Sequence, residues 1–407
     1  MATIKPFAAL RPDPELAGSI CELPYDVMSS AEAREVAAGN PLSFLHVSKP
    51  EIDLPSTTDP CAPSVYAKGK ENFSTLLDEG ALRQETRPAL YLYRQIMGRH
   101  SQTGLVAVAS CEEYLKGVVK KHELTRPDKE DDRVRHIETL NAQTGPVFLV
   151  YRAAPEVDDF VQKKLAGKPD VDFTAKDGVR HTSWLLNQSV EIAFIESAFA
   201  RIPALYIADG HHRSAAAARV CQSRAGAGES AWFLSVIFPD HQVQILPYNR
   251  VLKDLNSHSP EDLLKKLAAV FTIITGGAAP SGKHHIGFYF QGKWSSFIFR
   301  PELLRAEDPI HQLDVALLQK HVLGPIFGID DPRTSKRINF VGGIRGATEL
   351  EKSVNSGESA CAFSMFPTSI EDLLAIADAG GIMPPKSTWF EPKLRDGMFC
   401  HLISPIP

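Results

Sequence analysis

The sequence predicts an α+β fold of two or three domains, on three observations. The chain is 407 residues long, too long for one ordinary core. Its first third holds strand-like runs flanking a tight turn, at 89–95 and 104–109 around Gly98–Gln102, which predicts a hairpin. Its last third alternates strand-like and helix-like segments, the pattern of an α/β domain. Composition agrees with a soluble globular chain, at 43% hydrophobic and 23% charged residues. The net charge of −5 argues against a dominant nucleic-acid footprint. No run approaches the ~20 apolar residues that span a bilayer. The start lacks the apolar core of a signal peptide, and Cys21, Cys61, Cys111, Cys221, Cys361 and Cys400 form no CxxC pair, so the expectation is a cytoplasmic protein with free thiols and no membrane partner.

Residues 1–60 are rich in proline and turn signals and predict extended pieces around one helix at Ser30–Ala38, capped by Ser29 or Ser30. Ser43–Val47 reads as a strand leading into the polar loop Lys49–Asp53. Tyr66–Gly80 has helical spacing, with Phe73, Leu76 and Leu77 on one face and Gly80 as the stop. Glu112–Val119 reads as helix. It leads into Lys120–His136, where six Lys or Arg and five Asp or Glu fall within seventeen residues, and Pro127 divides that stretch. Gly145–Tyr151 reads as strand, Glu156–Ala166 as helix, Gly178–Trp184 as a turn and Gln188–Phe199 as helix. Trp232–Phe238 is a hydrophobic strand with Gln244–Tyr248 as its candidate partner. Pro260–Phe271 is an amphipathic helix. Residues 272–283 lack the Gly-Lys-Ser/Thr ending of a P-loop and read as turn or linker. Strands follow at 286–290, 295–299, 338–341 and 359–365, with helices at 314–322, 347–355 and 370–379.

Two stretches carry the chemistry. In LYIADGHHRSAAAARV, Leu205–Val220, a short buried strand runs into an alanine-rich helix, and the reactive residues stand at the join. A helix start leaves backbone N–H groups unpaired and attracts anions. Asp209, Gly210, His211, His212 and Arg213 at that point predict a phosphate or nucleotide turn, with Asp209 available to a cation. In KHELT, the residue four beyond His122 is Arg126, so the two-histidine zinc motif fails; Glu123, beside cations, suits general-base work. Later, Pro384-Pro385 stiffens a loop in which Lys386, Ser387 and Thr388 offer three donors to a carboxylate or phosphate, or form a surface turn.

The order KHELT, YIADGHHR, MPPKSTWF resembles the free serine kinases, enzymes of ParB-like fold that phosphorylate L-serine; this likeness covers roughly 105–125 and 200–395. With LPYDV, NPLSFLHVSKPEIDLP and KEDDR added, nearly the whole chain is similar to a large bacterial family catalogued as a domain of unknown function and often labelled ParB-like. The resemblance implies a ParB-like nucleotide- or phosphate-binding core at 105–260 with an insert at 126–199. An N-terminal extension at 1–104 and a C-terminal α/β substrate-side domain at 261–407 complete the expected layout. It implies a small-molecule kinase using ATP or ADP with Mg²⁺. Glu123 would be the catalytic residue, Asp209–Arg213 the phosphate and nucleotide turn with Asp209 on the metal, and His122, Lys386, Ser387 and Thr388 the substrate side. Ser387 stands where the kinases carry Thr, and Trp389-Phe390 where they are more polar, so the acceptor hydroxyl compound stays open, serine-like or another metabolite. The competing reading is a ParB-like nucleotide- or DNA-binding module without kinase activity. Neither reading decides between a monomer and a homodimer.

Overall fold

The computed structural model of the chain describes residues 1–304 and 308–404. Its mixed α and β elements gather into two units, one of Met1–Val243 with Pro392–Pro407, the other of Gln244–Glu391. The sequence places boundaries at 104 and 260; the observed contacts divide the chain elsewhere.

Unit 1 is built on a nine-stranded mixed sheet. Its strands are β1 (Ile4–Lys5), β2 (Leu90–Met97), β3 (His100–Ser110), β4 (Val119–Lys120), β5 (Val147–Tyr151), β6 (Val171–Thr174), β7 (Arg180–Leu186), β8 (Leu205–Asp209) and β9 (Trp232–Pro239). They lie in the order β4-β8-β5-β9-β3-β2-β7-β6, with β1 on β3. The pairs β4·β8 and β5·β9 are parallel and the other pairs antiparallel. All of β5 (VFLVY) is buried, and β9 (WFLSVIFP) nearly so, as continuous apolar strands covered on both faces should be.

Six helices of eight or more residues belong to this unit: α1 (Ser30–Ala37), α2 (Pro63–Asp78), α3 (Pro127–Leu140), α4 (Pro155–Leu165), α5 (Ser189–Phe199) and α6 (His211–Ser223). Ser29 caps α1 with Glu32 in a reciprocal capping box. The alanines of α6 have a packing reason. Ala215, Ala217 and Ala218 join the core cluster of the sheet, while Ala216 and Val220 pack with Ile137 of α3. A helix buried on two sides needs small side chains on both.

Several elements differ from the sequence reading. Phe44–Val47 is helical, not a strand: Leu45–Ser48 forms one turn, so Phe44 and Val47, three apart, share the cluster of Phe73 and Leu76. The helix after Ser110 ends at Leu115, and Gly117, at φ 77°, frees Val119 for the sheet. Pro127 starts α3 at its first turn, where its missing N–H costs nothing. Residues 180–186 are strand β7, with His181 fully buried; only the tip near Gly178 is a turn. Gln244–Leu246 pairs with Trp389–Glu391, not with β9.

Unit 2 carries a six-stranded antiparallel sheet of β10 (Tyr248–Leu252), β11 (Phe271–Thr275), β12 (His285–Phe290), β13 (Lys293–Phe299), β14 (Ile338–Gly342) and β15 (Cys361–Met365), in the order β11-β13-β12-β15-β10-β14. The start of the stretch read as linker is therefore its edge strand, as Thr272, Ile273 and Ile274 favour. Phe271, Phe288, Phe297 and Phe363 fill its core. Among the described residues no helix is long and apolar enough to cross a membrane.

His136 on α3 is 3% exposed and hydrogen-bonds the Val47 carbonyl through Nε2 at 2.9 Å. Burial, then Arg133, holds its pKa down at about 4, against the opposing pull of Val47 and Asp132. The unfolded chain takes up this proton near pH 6.5 and the folded chain does not. Stability contributed by His136 is therefore present above pH 6.5 and lost as pH falls towards 4, by about 3 kcal/mol across the window. Urea unfolding between those pH values should show a flatter stability profile for His136→Gln than for the wild type; equal slopes would refute the assignment.

Candidate active site

Strands β4 and β8 run side by side, Val119 opposite Leu205 and Lys120 opposite Tyr206. Parallel pairing brings their C-terminal ends to one edge of the sheet, where open α/β sheets bind ligands. KHELT leaves the end of β4, and Asp-Gly-His-His-Arg leaves the end of β8. The backbone N–H of Arg126 donates to Nε2 of His212 at 3.1 Å, joining the stretches across 86 residues of chain.

At that junction the rings of His122 and His211 meet edge to face, centroids 4.5 Å apart. Glu123 Oε2 stands 4.0 Å from His211 Nδ1, its side chain 41% exposed. One ligand atom from each of His122, Glu123 and His211 lies within 4.8 Å of the others. Both nitrogens of His122 and Nε2 of His211 are buried without a hydrogen-bond partner. Burial holds the pKa of His122 at about 4, against the pull of Ile207 and Asp209. Burial, then His122, holds His211 well below its ordinary value, against Asp209. Both imidazoles are therefore neutral at pH 7, with lone pairs to offer. Two neutral imidazoles and a carboxylate form a donor set for a first-row transition metal rather than for Mg²⁺, which prefers oxygen.

Asp209 closes β8, and Gly210 precedes α6 with φ 94° and ψ 30°. A Cβ at Gly210 would stand 3.0 Å from Arg213 Nε, so glycine serves both the backbone and the close approach. No side chain caps α6. Arg213 is buried and turned inward: Nη1 donates to the Pro146 carbonyl and Nη2 to Asp209 Oδ2 at 3.3 Å. Lys393 Nζ donates to the same Oδ2 at 3.4 Å. Burial alone would raise the Asp209 carboxyl, but Lys393 and Arg213 hold it well below the usual carboxylate range. Both of these donors converge on Oδ2 of this carboxylate.

Sequence reasoning missed the support behind the turn. A cavity of ≈30 Å³ lies there, walled by Tyr25, Arg133, Arg213 and Asp396 among others. The Arg133 guanidinium sits 3.8 Å over the Tyr25 ring. Burial pushes Asp396 up to about 7, although Arg213 pulls it down. Gly145 leaves room for it, since a Cβ there would fall 2.6 Å from Asp396 Oδ1. Tyr25 lies in LPYDV and Arg133 in KEDDR, so the signal was present as motif without a chemical role. Lys393 and Asp396 belong to no motif and reach the site only because the chain returns to unit 1.

Lys386, Ser387 and Thr388 lie in unit 2. Lys386 has φ 57° and places Nζ 5.3 Å over the Tyr248 ring. The Ser387 hydroxyl is buried and donates to the Pro384 carbonyl at 2.6 Å, closing a turn. Thr388 is half-buried.

The family described as Protein of unknown function (DUF1015) matches residues 4–316. No curated protein matches the chain significantly. Among solved structures, a free serine kinase in complex with AMP is 13% identical at a TM-score of 0.36, covering 70% of this chain and 86% of its own. A conserved hypothetical protein from Pyrococcus furiosus is 15% identical at 0.35, covering 72% and 93%. SbnI with C-terminal truncation from Staphylococcus aureus is 11% identical at 0.39, covering 72% and 85%. Likenesses of this order settle no question of mechanism.

Gly210→Ala should destabilise unit 1 by more than Gly178→Ala. Both place a side chain at positive φ, which costs roughly 1–2 kcal/mol, but Gly178 has open space around it whereas Gly210 faces Arg213. Chemical unfolding of the two variants measures the difference; equal losses would mean that the Arg213 contact yields freely.

Proposed function

We propose that this chain, which belongs to the DUF1015 family, is a small-molecule kinase that transfers a phosphoryl group from ATP or ADP to a hydroxyl of a serine-like amino acid or similar metabolite. The observation that carries the reading is the parallel pairing of β4 with β8, which sets Glu123 beside the Asp209–Arg213 turn. Phosphoryl transfer asks of a protein mostly positioning and charge neutralisation. The uncapped start of α6 and the turn residues Gly210, His211 and His212 supply an anion site for the nucleotide phosphates. Arg213 serves it by holding Asp209 in place. Asp209 would hold Mg²⁺, which would neutralise phosphate charge.

Glu123 is the base. Its carboxylate is exposed enough to meet a hydroxyl and stands at the mouth of the turn beside His211. As the acceptor oxygen forms its bond to phosphorus, the bond from phosphorus to the nucleotide oxygen breaks and the hydroxyl proton passes to Glu123. His122, Lys386, Ser387 and Thr388 take the acceptor side on the strength of the sequence resemblance.

A screen of amino acids and polyols with ATP or ADP and Mg²⁺, read by phosphorylated product, tests the reading; no product from any pairing would remove it. With an acceptor in hand, Glu123→Gln should bind nucleotide as the wild type does and lose turnover by ~10²-fold or more. Full turnover in that variant would leave the kinase without its base.

A further inference from the structure

Unit 2 contains a cavity of ≈260 Å³. Arg250, on β10, lines it and is 3% exposed. Its hydrogen bonds go to two backbone carbonyls, Nη1 to Tyr248 and Nη2 to Lys386 at 3.0 Å, and the Phe340 ring lies 5.4 Å from its Cζ. No carboxylate pairs with it among the described residues. Burial lowers its pKa to about 10, so the guanidinium is still charged at neutral pH. A buried cation without a counter-charge is costly, and an anion brought into the cavity relieves that cost.

Gln319 lines the same cavity and opens the π-helical turn Gln319–Leu323, which follows directly on the helix Asp314–Leu318. Its amide nitrogen donates to the carbonyls of Ile329 at 2.7 Å and Asp330 at 3.2 Å, which settles which end of the amide is oxygen. Oε1 is left buried with no donor. Arg333 and Asp331 pair at 2.9 Å, and Asp330 also lines the cavity, but neither carboxylate acts on Arg250. The wall thus presents a guanidinium bonded to carbonyls but without a carboxylate partner, and an unmatched acceptor, and the ligand that satisfies both carries an anionic group and a hydrogen-bond donor close together.

We infer that this cavity binds a small carboxylate bearing a hydroxyl or amino group on the neighbouring carbon, with the carboxylate on Arg250 and the donor on Gln319 Oε1. A bidentate fork on a planar carboxylate explains why arginine stands there rather than lysine. The site is built from unit 2 alone and does not depend on the phosphoryl-transfer reading.

Calorimetric titration of the full chain without nucleotide, using propionate, lactate and alanine, tests it. The three are alike in size, and only the last two carry the donor, as hydroxyl and ammonium respectively. Lactate or alanine should bind saturably and at least about tenfold more tightly than propionate, and Arg250→Lys should weaken that binding by about tenfold or more. The preference between lactate and alanine identifies the donor. Equal binding of all three, no saturation below about 10 mM, or unchanged affinity in a folded Arg250→Lys would overturn the site. Should that variant fail to fold, hydrogen exchange on the wild type decides: ligand-dependent protection of Gln319–Leu323 supports the site, and binding without such protection refutes it.

Discussion

The two-residue parallel ladder between Val119–Lys120 and Leu205–Asp209 is the constraint from which the candidate active site follows. It is short, so its direction is enforced by its surroundings. Leu205 and Ile207 are buried in the core of the sheet, with Val119 beside them. Reversing β4 would send KHELT to the opposite edge. The site chemistry then comes from burial: His122 and His211 are pressed against each other and kept neutral, while the half-buried Glu123 keeps some access to solvent.

Helix α6 shows how packing and charge meet at this edge. Its alanines let it lie against the sheet and against α3 at once, which fixes the direction of its N-terminus. With that axis fixed, Arg213 in the first turn falls between Asp209 and the Pro146 carbonyl at the start of β5. Since β5 is antiparallel to β8, its start stands at the same edge as the end of β8. The inward arginine follows from this strand order.

Local signals were readable in the sequence where they were strong and contiguous. The strand-to-helix join at Asp209–Gly210, the hairpin around Gly98, the capped helix at Ser30 and the strand–helix alternation of the last third all follow from turn chemistry and periodicity. What escaped depended on partners remote in sequence. Phe44 and Val47 form a helical turn because Phe73 and Leu76 wait on one side, and a five-residue apolar run does not say which period it follows. His181 reads as a turn residue until Tyr93, at 2.7 Å, and Arg395, at 3.1 Å, are found on its two nitrogens. Arg213 reads as a phosphate ligand because sequence cannot show Pro146 and Asp209 taking its donors. Lys393 had no local pattern, and only the path of the chain brings it to Asp209.

That path has a consequence for the order in which the molecule can be completed. Unit 2 is inserted into unit 1, so the chain leaves at Val243 and comes back at Pro392. A chain emerging from a ribosome presents the Asp209 turn long before Lys393 and Asp396 exist to balance it, and it must make the whole of unit 2 in between. Until then Cys400 and Leu402 are also missing from the cluster that holds Leu10, Phe44 and Phe73. The returning segment therefore acts as a clasp: the partners of the Asp209 turn arrive only after unit 2 has been made, and a chain cut short before Pro392 carries every motif residue up to the turn without them.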